Sequence, residues 1–397
     1  MSNSKLFMFE KPLGMRDTLP SLYEAKQNVK NTMTAEISQW GYQFMETPTL
    51  EYYETVGEAS AILDQQLFKL LDQQGHTLVL RPDMTAPIAR VAASRLLNEG
   101  YPQRLAYSAN VFRAQQNEAG RPAEFEQIGV ECIGDRSISA DAEMIALLVA
   151  LLKNTGLSTF TVAIGHIGFL QEIFLDIVGN EERAATLRRY LYEKNYVGYR
   201  EHVKNLSLSS IDKKRLLNLL TLRGDSSNIE LAKEVLDGEA GKKAIQELEQ
   251  LWTMLEAYGV TDFVKLDLNI VSHMSYYTGI VFEAYAGNIG FPIGNGGRYD
   301  KLFEKFNREK SATGFGIHLD RLLEAKGVKK AEVKIHGVLF SQERREEAIA
   351  FATSKREAGE KVILQDIAGV ENVDACTASF SDVTFFLGKA RKESDEA

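Results

Sequence analysis

QRLAYSANVFRAQQNEAGRPAEFEQIGVECI, residues 103–133, decides the fold. Gln103 to Val111 and Glu126 to Ile133 read as two strands around an irregular stretch from Ala114 to Pro122. A parallel crossover would need a helix between them, so the pair is antiparallel. On the second strand, period two puts Gln127, Gly129 and Glu131 on one face and Ile128, Val130 and Cys132 on the other. Polar side chains either side of a glycine suggest a floor for a small polar ligand. A solvated sheet face is the competing interpretation.

Upstream, Leu22, Ala25, Val29, Met33, Ile37 and Trp40 recur at helical spacing, with Gly41 as the stop, so a helix is expected over 21–41. Leu67–Leu71 and Thr77–Leu80 read as a hairpin, and a helix is expected from Met84 to Asn98. Residues 168–258 are rich in Leu, Glu, Lys and Arg and contain no Pro, which reads as an insert of amphipathic helices. Strand signals return at Val264–Val271 and Ile280–Tyr285. A glycine cluster follows (Gly287, Gly290, Gly294, Gly296, Gly297) and reads as a turn or a place of close backbone approach. Residues 311–326 read as a strand-like turn and a helix. The last 65 or so residues read as a small βαβαβ unit with strands at His336–Phe340, Lys361–Asp366 and Val383–Leu387. The expected class is α+β, an antiparallel sheet with flanking helices, a helical insert and a small C-terminal α/β unit.

The chain of 397 residues is 44% hydrophobic and 25% charged, which excludes a disordered or disulfide-stapled protein. Its net charge of −9 argues against a protein whose main work is gripping a phosphate backbone. Cys132 and Cys376 form no metal-ligand spacing. The longest clean apolar run, Met144–Leu152, is far short of a membrane span. A cytoplasmic protein with no membrane contact, metal or cofactor is expected.

Several short constellations carry chemistry. Arg81-Pro82-Asp83-Met84-Thr85 offers a carboxylate and a hydroxyl that could receive an ammonium group, or could cap a helix. Phe112-Arg113 ends a strand with a guanidinium suited to a carboxylate or phosphate, or to a surface ion pair. Tyr276-Tyr277 before a strand is ordinarily packing. Gly314-Phe315-Gly316 lacks the form of a dinucleotide site.

The order of these segments is more specific than any one of them. From about residue 8 to 325 the chain resembles histidyl-tRNA synthetase, a class II synthetase. Gly14-Met15-Arg16-Asp17 with Leu19-Pro20 looks like the family's opening, and Trp40-Gly41-Tyr42 through Pro48 like its dimer-forming first motif. Arg81 to Thr85 looks like the amino-acid-binding segment, and Phe112-Arg113 through Glu131 like the second motif. Tyr276-Tyr277-Thr278-Gly279-Ile280-Val281-Phe282-Glu283 looks like the histidine signature, Gly296 to Asp300 like the glycine motif, and Gly314 to Arg321 like the third motif. The resemblance implies that residues 1–325 form a synthetase-like core. It also implies that residues 331–397 form a unit resembling a truncated anticodon-binding domain, which makes tRNA an unexpected partner.

The resemblance further implies a histidine pocket. Asp83, Thr85 and Gln127 would face the α-amino group, Arg113 the α-carboxylate, and Glu131 and Tyr277 the imidazole, with Tyr276 packed nearby. Three positions depart from the catalytic pattern. Ser272 stands where the family has a catalytic arginine, and losing such a donor costs ~10²–10³ in rate. Gln115 replaces an adenine-binding glutamate. His318 replaces a small residue and would crowd the adenine floor. No catalytic residue is therefore expected. A pocket retained without its ATP chemistry resembles the regulatory-subunit family of ATP phosphoribosyltransferase. That likeness implies a hetero-oligomer, containing a self-dimer of this chain, in the first step of histidine biosynthesis. This chain would activate a short-form catalytic subunit and relay feedback by L-histidine. An active histidyl-tRNA synthetase or another synthetase-like paralogue is the alternative.

Overall fold

The computed structural model describes residues 10–96, 100, 102–114, 122–235, 239–271, 276–327 and 334–388. The chain divides into two compact units, Met1–Val328 and Lys329–Ala397.

The larger unit opens with α1 (Pro20–Gln39), whose first residue is a proline with no N–H to lose. Val29, Met33 and Ile37 are its buried stripe, and Gly41, at φ 81°, turns the chain out of it. Then follow β1 (Gln43–Phe44), β2 (Leu50–Tyr52), β3 (Lys69–Leu71), β4 (Thr77–Leu80), α2 (Thr85–Val91), β5 (Gln103–Phe112), β6 (Glu124–Ile133), α3 (Ile138–Asn154) and β7 (Phe160–His166). The helical insert holds α4 (Ile167–Val178), α5 (Glu181–Tyr192), α6 (Tyr196–Asn205), α7 (Ser210–Leu219), a two-residue strand β8 (Arg223–Gly224), α8 (Ser227–Lys233) and α9 (Glu239–Ala257). Asn180, Asn195 and Ser209 each accept the backbone N–H three residues on, fixing where α5, α6 and α7 begin. β9 (Val264–Asp267), β10 (Ile280–Ala286), β11 (Pro292–Arg298), α10 (Lys301–Glu304), β12 (Ala312–His318) and α11 (Leu319–Lys326) complete the unit.

Nine strands form its main sheet in the order β1-β5-β6-β12-β11-β10-β7-β9-β8. The six from β5 to β7 are antiparallel to their neighbours. Two flanking pairs are parallel, β1 with β5 and β7 with β9. The second is possible because the insert supplies the long helical crossover that a parallel pair requires. β2, β4 and β3 form a separate small antiparallel sheet.

One face of the main sheet, with Ile128, Val130, Cys132, Phe282, Phe315 and Ile317, packs on α1, α3 and α11, and α9 packs in turn on α3 and α4. Met144–Leu152, too short for a membrane, is the middle of α3, and all but one of its residues are buried. Among the described residues no helix is long and apolar enough to cross a membrane.

Three expectations change. The glycine cluster is not a turn: Gly294, Gly296 and Gly297 lie in β11, inside the sheet. The strand expected to reach Val271 stops at Asp267, whose carboxylate takes the Asn269 N–H and turns the chain. The expected single helix from Met84 is regular only to Val91, after which Ala92–Leu96 widens to a π turn.

The smaller unit holds β13 (His336–Phe340), α12 (Arg345–Glu357), β14 (Val362–Asp366), the short α13 (Val373–Thr377) and β15 (Asp382–Phe386). Its strands are parallel, in the order β14-β13-β15, with Val338, Phe340, Ala348 and Ala352 as its core.

Candidate functional site

Strand register builds the site. Tyr107, Gly129, Gly316 and Asn295 are paired across β5, β6, β12 and β11, and so are Leu105, Glu131, Gly314 and Gly297. Side chains alternate faces, so Gln127, Gly129 and Glu131 share the face opposite the helical core. That face is not solvated: Gln127 is 6% exposed and Glu131 1%.

The glycines make the floor thin. A Cβ on Gly314 would collide with Glu131 Oε2, and one on Gly129 with the Phe315 carbonyl and the Tyr107 hydroxyl. The Glu131 side chain therefore lies across the neighbouring strand, where any larger residue would stand.

Asp83 sits just before α2. Its Oδ1 accepts the Ala86 N–H at 2.9 Å, which is the capping role expected of it. Its Oδ2 is buried and has no hydrogen-bond partner among the described residues. Burial raises the Asp83 carboxyl above its ordinary range, while two backbone donors and Arg113 pull it down. Thr85 does not cap. Its hydroxyl donates to Glu131 Oε1 at 2.8 Å, and the Tyr299 hydroxyl donates to Oε2 at 2.5 Å. Burial pushes Glu131 up to about 8 against those two donors.

Arg113, beyond the end of β5, donates from Nε to the Pro82 carbonyl at 2.9 Å and lies 5.4 Å over the Phe125 ring. It is no surface ion pair: burial lowers its pKa, opposed by Asp83. Tyr276 meets Tyr277 edge-on at 5.3 Å and Tyr299 at 6.0 Å.

Asp83, Thr85, Arg113, Gln127, Glu131, Tyr276 and Tyr277 all line one cleft, of about 390 Å³ including its open mouth. Tyr107, Asn295 and Tyr299 line it too; sequence reasoning assigns none of them a role in the pocket, although Tyr299 falls within the glycine motif at 296–300. The signal for Tyr107 was period two on β5 opposite Gly129; for Asn295 it was the reading of the glycine run as a strand. The cleft presents a buried carboxylate oxygen at one place, a guanidinium at another and a hydrogen-bonded carboxyl with tyrosines at a third. That pattern suits a small zwitterion with a polar ring.

Gln115 and Ser272 lie outside the described residues. His318 ends β12 opposite Gln127. Its ring stacks on Phe125 at 4.7 Å, and its Nε2 is 3.4 Å from Gln127 Nε2. Burial, with Arg321 and Arg113 nearby, drives its pKa well below the ordinary histidine value, so the ring is neutral. Arg321 donates to the Pro292 carbonyl at 2.7 Å. Among the described residues no group of three His, Cys, Asp or Glu could hold a metal.

The antiparallel floor, its second-motif arginine and the tyrosine-lined cleft are those of a class II aminoacyl-tRNA synthetase-like protein. The family model of histidyl-tRNA synthetase matches residues 14–322. That of the histidyl-tRNA synthetase HisZ C-terminal domain matches 337–388. An ATP phosphoribosyltransferase regulatory subunit of Geobacillus sp. (strain WCH70) is 64% identical over 98% of this chain and 99% of its own length. Its counterpart in Bacillus subtilis (strain 168) is 62% identical over the same shares. The crystal structure of an ATP phosphoribosyltransferase regulatory subunit/histidyl-tRNA synthetase from Bacillus halodurans superposes with a TM-score of 0.92. It shares 59% identity, over 97% of this chain and all of that one. The chain belongs to the ATP phosphoribosyltransferase regulatory subunit family.

Proposed function

We propose that this chain is a non-catalytic subunit of ATP phosphoribosyltransferase that binds L-histidine in the cleft, activates a short-form catalytic subunit and relays feedback inhibition to it. The observation that carries the reading is the Asp83 Oδ2 oxygen, buried and without a hydrogen-bond partner among the described residues, in a cleft that also holds Arg113 and Glu131. A buried lone acceptor is costly unless a donor arrives, and an α-ammonium group is such a donor. Thr85 and Gln127 flank it as further polar groups. Arg113 is the partner for the α-carboxylate, and Glu131 and Tyr277 for the imidazole nitrogens, with Tyr276 as an apolar wall.

The non-catalytic part of the reading is supported by His318. Its neutral ring covers one face of Phe125, on the surface that the synthetase resemblance gives to adenine. Feedback then requires that histidine bind one global state better than the other, since equal affinity shifts nothing. A coupling of about 1–3 kcal/mol gives a five- to 150-fold effect.

The test is phosphoribosyl-ATP formation by a short-form catalytic subunit from the same source, alone, with this chain, and with this chain plus histidine. Activation that histidine reverses is the expected result. A folded chain that gives no activation, but supports histidine-dependent ATP–pyrophosphate exchange, would replace this reading with an active synthetase.

A further inference from the structure

The smaller unit leaves two sheet edges, β14 and β15, and the two are treated differently. On β14 the Lys361 carbonyl accepts the His336 N–H, so the next carbonyl, that of Val362, points away from β13. The Arg356 guanidinium covers it with two donors, at 3.0 and 3.3 Å. On β15 the Phe386 carbonyl accepts the Ser341 N–H, so Asp382, Thr384 and Phe386 turn their backbone groups inward. Val383, Phe385 and Leu387 turn theirs outward. The Asp382 carboxylate takes the Val383 N–H, and among the described residues of this unit nothing pairs with the Phe385 N–H or carbonyl, so Phe385 lies at the centre of this edge.

Natural edge strands are protected by lysine, proline, bulges or a covering element. Val383-Thr384-Phe385-Phe386-Leu387 has none of the first three. Phe385 is 47% exposed and Leu387 42%. Phe385 and Val383 share the sheet face of Leu339 and Ile363, away from the core formed with α12. Four residues of high β-propensity, Val383 to Phe386, followed by Leu387 and with no charge among them, form an edge that invites a strand.

The segment is also suited to pair with its own copy. Laid antiparallel on itself about Phe385, the segment sets Val383 against Leu387, Thr384 against Phe386, and Phe385 against its own copy. No like charges meet, and Asp382 falls opposite Gly388, beside Lys389 in the sequence. Residue 385 turns its N–H and C=O outward, so two copies exchange both bonds there, as a hydrogen-bonded antiparallel pair does; at each 383/387 pair the Leu387 N–H meets the Val383 carbonyl, while Asp382 keeps the Val383 N–H. Cross-strand apolar pairs of this kind stabilise a sheet. We infer that β15 is an association edge at which two copies of this chain pair about Phe385, joining two three-stranded sheets into one of six. The contact is isologous, as a two-fold dimer requires. It is separate from any self-contact of the larger unit and does not depend on the proposed histidine site.

The test is disulfide capture on the full chain in a Cys376→Ser background; Cys132 is buried. Phe385→Cys is oxidised with copper phenanthroline beside Ile363→Cys, which is exposed to a similar degree on the protected edge. Opposed residues in an antiparallel pair have Cα atoms about 4.5–5.5 Å apart, within disulfide reach. At least tenfold more covalent dimer from Phe385→Cys is expected. Because that change removes the central ring, Val383→Cys and Leu387→Cys are also mixed, and are expected to cross-link with each other more than with themselves. Equal yields at 385 and 363, with no preference in the mixture, would overturn the inference. Capture only to an added catalytic subunit would do the same, and would assign the edge to that chain.

Discussion

Glu131 is held by Thr85 and Tyr299 and buried on a glycine floor, so its carboxyl keeps a proton up to about 8. In the unfolded chain it titrates near its ordinary value of 4.5. Between those values the unfolded state releases a proton that the folded state keeps. Glu131 therefore adds stability that is complete below about 4.5 and is lost as pH rises through about 8. Glu131→Gln should flatten the fall in Tm between pH 5 and pH 9; an unchanged slope would mean that the folded carboxyl is ionised throughout. Asp83 belongs to the same argument, since burial raises it too. Under the proposed role, an arriving ammonium would favour its charged form. Arg113→Lys keeps the charge but loses the planar fork. A charge-assisted hydrogen bond contributes about 1.5–3 kcal/mol, so histidine affinity should fall about 10- to 100-fold in a titration. An unchanged affinity would place the carboxylate elsewhere.

At the scale of elements, β11 and β12 explain the glycines. Gly314 lies opposite Glu131 in register and Gly316 opposite Gly129. The floor is possible because side chains cross where other strands carry a Cβ. Gly314→Ala should displace Glu131 and cost about 1–3 kcal/mol from overpacking, read as a lower denaturation midpoint together with weaker histidine binding. Wild-type binding in that variant would show that the strands can part without moving the carboxyl. Further along β11, Arg298 ties the sheet to α3. It donates to Asp141 Oδ2 at 3.0 and 2.7 Å, and to the carbonyls of Asp135 and Ser137. Asp141 is fully buried, and burial raises its carboxyl to about 6 despite the guanidinium. Arg298→Met strands that carboxyl and two carbonyls. Breaking a buried pair from one side costs about 3–5 kcal/mol, so chemical denaturation should show a loss of that order. A loss below 1 kcal/mol would mean that Asp141 simply takes up a proton.

For the whole molecule, the proposed regulation implies reciprocity. If histidine weakens the activating state of the complex by some factor, the catalytic subunit must shift histidine affinity by the same factor. Glu131→Ala should leave assembly and activation intact and abolish the response to histidine. Persistent feedback in that variant would put the effector in another site.

Much of this was legible in sequence because it is local. Period two on 126–133 put Gln127 and Glu131 on one face and Ile128, Val130 and Cys132 on the other, and the sheet keeps that division. The stop of the first helix follows from a single residue, Gly41. The ordered motifs carried the family. What only the tertiary structure decided are matters of pairing across long separations. β11 reads as a turn because glycine has low strand propensity, yet between β10 and β12 close packing demands it. Tyr299 lies 168 residues from Glu131 and meets it only once the three strands β6, β12 and β11 are in register. His318 covers Phe125, and Asp83 Oδ2 has no donor among the described residues. Local pattern fixes which face a side chain takes, because backbone alternation is a property of the strand itself. The neighbour it finds there depends on register, and register is set by the assembled sheet.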